Sequence, residues 1–311
     1  MEKEILTKNL DLLVGQTQAK QLLTNCMEAD NCSAYLLVGP SHVGKGFLAR
    51  LMAVSLHNED NVYKVHPDTI IFENILISNS GDDNENLWKK SVDDFIHLIY
   101  LSPVQSSKKI GIIENIDRFS PQALNALLKT LEEPPARAVI ILTAKEISRI
   151  LPTILSRVQT IRLRYLSDTE IKEYVNSRQT EKTTEITLLA NGAIGIANRL
   201  IHNPELLDKE LINMTEFPDW LLNKDIVKML QMANIKDRDE AVKLVELWLN
   251  LTRRIWLNKL NLQSFLKPDL SNTYSSDDLI KLIDRLQLAL LSLNANANIR
   301  ITLESTLLSV L

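Results

Sequence analysis

Five short apolar runs punctuate the first half of the chain, at residues 34–38, 69–72, 109–113, 139–143 and 159–163. They show little polar alternation, the pattern of strands covered on both faces of a parallel sheet. Between them the apolar period lengthens. Residues 47–56 read as an amphipathic helix that opens directly behind a glycine-rich turn. A second helix has its ends written in the sequence: Ser120 is an N-cap, Pro121 takes the first helical position, and Pro134-Pro135 stop it after Glu133. The polar, turn-rich segment 79–86 predicts a surface loop.

The pattern changes near residue 166. Ser167-Asp168-Thr169-Glu170 is a capping-box signature, and no strand is expected beyond it. Two or three short helices should run to about residue 205, interrupted at Asn191-Gly192-Ala193-Ile194-Gly195, with helices from Asp208 onward. Ser275 to Asp278 cap a helix whose apolar positions Leu279, Leu282, Ile283, Leu286 and Leu290 form one stripe. Such a stripe either packs into the chain's own core or covers a subunit interface.

Composition narrows the class without choosing a function. At 311 residues the chain is long enough for two or three domains, and 45% hydrophobic with 24% charged residues is ordinary for a globular protein. A formal charge of -4 argues against nucleic-acid binding by bulk charge, though not against a local basic face. Cys26 and Cys32 are the only cysteines, form no metal-ligand set, and read as idle or buried thiols. The start, Met1-Glu2-Lys3-Glu4, has no apolar leader, and no uncharged apolar run approaches bilayer length; a cytoplasmic address without membrane contact is expected. His42 and His97 have no partner set for metal or nucleophilic chemistry.

The chemistry lies in the turn behind the first strand. Gly39-Pro40-Ser41-His42-Val43-Gly44-Lys45-Gly46 matches the phosphate-binding pattern G-x-x-x-x-G-K, but Gly46 stands where a Ser or Thr hydroxyl should ligate Mg²⁺. Backbone N–H groups at the helix start can still cradle an anion. The strand ending Ile112-Ile113-Glu114-Asn115-Ile116-Asp117 stands at the metal-holding strand tip of such nucleotide-binding folds. Glu114 replaces the usual Asp, and Asn115 occupies the place of the acid that polarises water. An amide cannot act as a general base.

Two further segments, Asn125-Ala126-Leu127-Leu128-Lys129-Thr130-Leu131-Glu132-Glu133-Pro134-Pro135 and Leu151-Pro152-Thr153-Ile154-Leu155-Ser156-Arg157-Val158, complete a set in the right order. With them the chain resembles the clamp-loader subunits of the AAA+ superfamily, and within these the delta-prime family of bacterial DNA polymerase III. The likeness is most specific from Ile110 to Arg157 and weakest beyond residue 205.

That resemblance implies a RecA-like α/β parallel-sheet domain over residues 1–165, a small helical lid over 166–207 and an all-α collar domain over 208–311. It implies that Ser156 and Arg157 keep the Ser and Arg of a motif whose arginine acts as a finger on ATP held by a neighbouring subunit, with Val158 replacing the motif's Cys. Read from its residue type alone, Arg157 is an ordinary surface arginine, and it is the surrounding match that favours the finger. Gly195 aligns with the lid arginine of hydrolysing subunits. The implied protein is a non-hydrolysing component of the polymerase holoenzyme, with no intrinsic ATPase and no required cofactor. A nucleotide or phosphate held without hydrolysis by Gly39, Gly44, Lys45, Gly46, Glu114 and Asn115 is compatible with it. The family's four-cysteine zinc module is missing, since residues 57–67 contain no cysteine, so no zinc and no other metal is expected. The implied partners are ATP-binding paralogues, the delta subunit, primed-template DNA within the ring and, indirectly, the sliding clamp. The competing expectation is a self-sufficient ATPase, such as the loader's motor subunit or a related remodeller.

Overall fold

The computed structural model describes residues 2–29, 32–59, 61–72, 85–225, 227, 231, 233–260 and 273–308. The chain divides into two compact units, one of residues 1–180 with 192–198 and another of residues 181–191 with 199–311.

The first unit is built on five parallel strands, β1 (Ala34–Val38), β2 (Thr69–Phe72), β3 (Lys109–Ile113), β4 (Ala138–Ala144) and β5 (Gln159–Arg162), in the spatial order β2-β3-β4-β1-β5. Helices α1 (Glu2–Asp11), α2 (Thr17–Ala29), α3 (Lys45–Leu56), α4 (Glu85–Tyr100), α5 (Pro121–Glu132), the single turn α6 (Pro152–Leu155) and α7 (Asp168–Ser177) accompany it. Alternate side chains of each central strand enter separate cores. Tyr35, Leu37, Ile110, Ile112 and Ile141 join Leu6, Leu10, Leu23, Leu48 and Met52 on one face. Leu36, Val38, Ile113, Ile140 and Leu142 join Phe95, Ile99, Leu124 and Leu127 on the other. Burial on both faces is why these strands read as unbroken apolar runs. Gly111 is the exception within β3. A Cβ there would stand 2.4 Å from Cζ of Phe95 and 3.0 Å from Cδ1 of Ile99, so the missing side chain lets α4 lie close on the sheet.

The predicted helix ends are present. Ser120 Oγ accepts the Ala123 N–H, and α5 ends with Glu133 as its C-cap. Ser167 and Glu170 form the reciprocal capping box of α7. Of the predicted loop 79–86, residues 79–84 lie outside the described residues, and α4 already begins at Glu85.

The segment after α3 is tied down by a polar cluster with no sequence signature. Asp68, fully buried, accepts N–H groups from Val104, Gln105 and Ser106 at 2.7–2.8 Å and lies 3.6 Å from Lys109 Nζ. Burial acts to raise its pKa, but those donors and Lys109 outweigh it and hold the carboxyl well below its usual range. His57 bonds Ser106 Oγ through Nδ1 and Thr69 Oγ1 through Nε2, and stacks on His66 at 3.9 Å. Burial and the neighbouring His66 push the His57 pKa down from 6.5 to about 4, against the opposing pull of Asp68 and Glu59.

The second unit is helical: α8 (Thr183–Ala190), the end of α9 (Ile194–His202), α10 (Pro204–Asn223), α11 (Arg238–Lys259), α12 (Ser276–Asn294) and α13 (Ile299–Leu308). Phe217 stacks between Trp220 and Trp248, with ring centroids at 6.1 and 5.1 Å. Leu279, Leu282 and Leu286 are buried in the same core, and Ile283 and Leu290 pack against it. The α12 stripe is therefore internal. Ile280, Leu288 and Leu291, on other positions of the helix, are exposed.

Two outcomes follow. Gly111→Val overpacks the α4 face and should lower stability by about 1–3 kcal/mol, read as an earlier denaturant midpoint. His57 binds protons less readily folded than unfolded, so its contribution is complete above pH 6.5 and is lost as pH falls from there towards 4. Denaturant midpoints at pH 7.5 and pH 5 should accordingly differ more for the wild-type chain than for His57→Gln.

Candidate functional site

The turn between β1 and α3 stands at the carboxyl edge of the sheet, the edge where open α/β folds bind ligands. Gly39 fits because its chain runs against β5: a Cβ there would stand 2.4 Å from the Leu163 carbonyl oxygen. Gly44 has φ +100° and is the N-cap of α3, which no side chain caps. The anion-cradling geometry of the turn is thus kept.

What has changed is where the turn spends its polar groups. Lys45 is 9% exposed, and its ammonium donates to the carbonyls of Gly39 at 2.7 Å and Pro40 at 2.6 Å. Burial pushes its pKa down, Asp117 and Glu114 pull it up, and Lys145 adds to the lowering. At Gly46 there is no hydroxyl, and the space beside it is taken: an added Cβ would stand 2.7 Å from Glu114 Oε1. The longer acid at 114 reaches the position that a missing side chain vacates.

Asn115 has a backbone reason for its identity. Its φ of 55° and ψ of 50° lie in the left-handed region, which Asn tolerates better than most residues, and its N–H donates to Thr143 Oγ1 at 3.0 Å. It starts the short 3₁₀ turn Ile116–Arg118. Sequence reasoning passed over Asp117 in that turn. Its Oδ2 accepts the Lys145 and Glu146 N–H groups, joining the ends of β3 and β4. Its Oδ1 is shut from solvent with no hydrogen-bond partner among the described residues.

Gly195, near the start of α9, touches the turn through backbone. Its N–H donates to the His42 carbonyl at 2.7 Å, and a Cβ would stand 2.9 Å from that same oxygen. His42 itself has φ 60°. An arginine at 195 would require the two backbones to part. A Mg²⁺-bound nucleotide therefore does not fit these residues as it fits a hydrolysing loop: the hydroxyl and the water-polarising acid are absent.

Arg157 and Ser156 stand elsewhere. They follow α6 and precede β5, whose register with β1 pairs Tyr35 with Gln159 and Val38 with Arg162. Extending that register puts Arg157 level with residue 33, six residues before Gly39. At ~3.3 Å per residue the separation is roughly 20 Å along the strand direction. The structure brings Gly39, Gly44, Lys45, Gly46, Glu114 and Asn115 together and leaves Ser156 and Arg157 at the opposite edge. Arg157 Nη1 donates to Thr153 O at 2.7 Å and Ser156 Oγ at 2.9 Å, and Nη2 pairs with Glu132 Oε1.

Residues 15–167 match the family described as DNA polymerase III, delta subunit. The gamma subunit of DNA polymerase III from Buchnera aphidicola subsp. Acyrthosiphon pisum is 28% identical over 227 residues, covering 67% of this chain and 62% of that protein. The delta' subunit of DNA polymerase III from Pseudomonas aeruginosa is 28% identical over 144 residues, 42% of each chain. The chain thus matches 62% or less of either relative's length. A DNA polymerase III gamma subunit-related protein from Thermotoga maritima, known from its crystal structure, shares the fold with a TM-score of 0.53 at 19% identity, over 93% of this chain and 98% of that one. No described helix is long and apolar enough to cross a membrane. Over residues 15–167 the chain is thus similar to the DNA polymerase III delta-subunit family, with relatives among clamp-loader proteins named gamma, tau and delta' subunits.

Proposed function

We propose that this chain is a non-hydrolysing, delta-prime-type subunit of a sliding-clamp loader, which lends Arg157 in trans to ATP held by a neighbouring subunit. The observation that carries the reading is the separation of the two edges. An arginine side chain cannot bridge roughly 20 Å to its own loop, so a phosphate that Arg157 meets belongs to another chain. A guanidinium suits that task through its permanent charge and planar fork. On this reading residues 1–165 are the AAA+ domain, 166–207 the lid and 208–311 the collar that joins the ring. The partners are ATP-binding paralogues, a delta subunit and primed DNA, with the clamp reached through them, all in the cytoplasm as part of the polymerase holoenzyme.

The loop keeps a structural role. Lys45 is satisfied by its own loop carbonyls, Glu114 fills the space at Gly46, and Gly195 closes on His42. A second reading, an ATP-turning subunit of gamma type, draws on the longer match to the Buchnera gamma subunit. Gly46, Asn115 and Gly195 all count against it.

Restoring two residues should not restore turnover. Gly46→Thr with Asn115→Glu sets a Cβ against the Glu114 carboxylate and a less tolerant residue in a left-handed position. Phosphate release by the isolated double variant with Mg²⁺ and ATP is expected to stay well below about 1 s⁻¹, the low end of ordinary enzymes. Turnover at that rate or faster would support the second reading.

The finger is tested in the assembled loader. Arg157→Ala should fold and assemble, and should lower DNA-stimulated ATPase by up to ~10³-fold at the one site it completes, diluted by the other sites of the ring. Arg157→Lys should recover only part, lacking the planar fork. Unchanged rates, with assembly verified by sizing, would remove the finger assignment.

A further inference from the structure

We propose that Glu132 is a positioning residue that parks Arg157 against its own chain, so that the finger must be released before it can serve a phosphate. The inference rests on the reading of Arg157 as a finger. Arginine offers five N–H donors. Three contacts already occupy both terminal nitrogens: Nη1 serves Thr153 O and Ser156 Oγ, and Nη2 serves Glu132 Oε1. The fork that could span two phosphate oxygens is therefore engaged within the chain.

The hold is local and well defined. Glu132 is the last residue of α5, just ahead of the Pro134-Pro135 stop, so the helix end fixes where its carboxylate stands. Thr153 lies in the single turn α6, and its carbonyl accepts both the Arg157 guanidinium at 2.7 Å and the Ser156 hydroxyl at 3.0 Å. Both members of the ion pair are open to solvent, Arg157 at 32% and Glu132 at 47% of side-chain exposure. Exposed pairs are weak. A γ-phosphate carries more charge than one carboxylate and can displace it, whereas neutral contacts cannot. The pair thus biases the finger towards rest while leaving it accessible to a nucleotide-bearing neighbour.

The experiment uses the loader reassembled from its partner subunits and varies this chain alone: wild type, Glu132→Gln, Glu132→Asp, Arg157→Ala, and Glu132→Gln with Arg157→Ala. Steady-state ATPase is measured against ATP concentration, with and without primed DNA. Glu132→Gln keeps the side chain's size and removes its charge. It should raise the DNA-independent rate and lower the KM for ATP about two- to fivefold, the range set by exposed ion pairs. Glu132→Asp, which keeps the charge, should fall between that variant and wild type. The gain should vanish in the double variant. A Glu132→Gln loader with unchanged or reduced rate and unchanged KM, or a gain that survives Arg157→Ala, would overturn the parking role while leaving the finger standing. A loader indifferent to Arg157→Ala would overturn both.

Discussion

The parallel register of β1 and β5 is the constraint on which the molecule's functional layout depends. It pairs Tyr35 with Gln159 and Val38 with Arg162. Whatever follows β1 therefore lies at one edge of the sheet, and whatever precedes β5 lies at the other. The phosphate-type loop is the first of these and Arg157 is the second. A parallel sheet admits no other arrangement, because every strand enters from the same side. A one-residue slip would move Ile161, the one buried side chain of β5, off the core face that it shares with Tyr35 and Leu37.

The loop's departures from a hydrolysing pattern are matched by packing around them. Gly46 has no side chain, and Glu114, a methylene longer than the usual acid, stands where one would project. Asn115 replaces an acid in a left-handed backbone position that suits it. Gly195 allows two backbones to meet at 2.7 Å through the His42 carbonyl. Lys45 donates to the carbonyls of its own loop. Each substitution alone reads as a loss, and together they support the proposal of a loop that serves the scaffold rather than turnover.

Much of this was legible from sequence, and the reason differs from element to element. The five strands stand within a residue of where the runs put them, and for β1, β3 and β4 the reason is double-sided burial, which leaves an unbroken apolar signal. The caps at Ser120, Ser167 and Ser275 were readable because a hydroxyl three residues before a backbone donor is a local interaction. The loop residues and Glu114 converge as their motif spacing implies. What escaped was non-local. Asp68 is explained only by three N–H groups some 36 to 38 residues ahead of it. The stacking of His57 on His66, and the close approach of Phe95 over Gly111, likewise exist only in three dimensions. The α12 stripe had two meanings at equal periodicity, and only the partners around Phe217 and Trp248 separate core from interface. The left-handed turn at Asn115 had a faint signal, since Asn is enriched there, but it was masked by the stronger expectation of an acid.

The proposed division of labour, with chemistry at a neighbour's nucleotide and none at the chain's own loop, can be read directly by labelling. An ATP analogue carrying a photoreactive group on the γ-phosphate, bound in the assembled loader and irradiated, marks whatever lies beside that phosphate. The labelled peptides of this chain should include the segment around Arg157, between Pro152 and Arg162. Label concentrated on the loop between Gly39 and Gly46, with the Arg157 segment unmarked, would contradict the account.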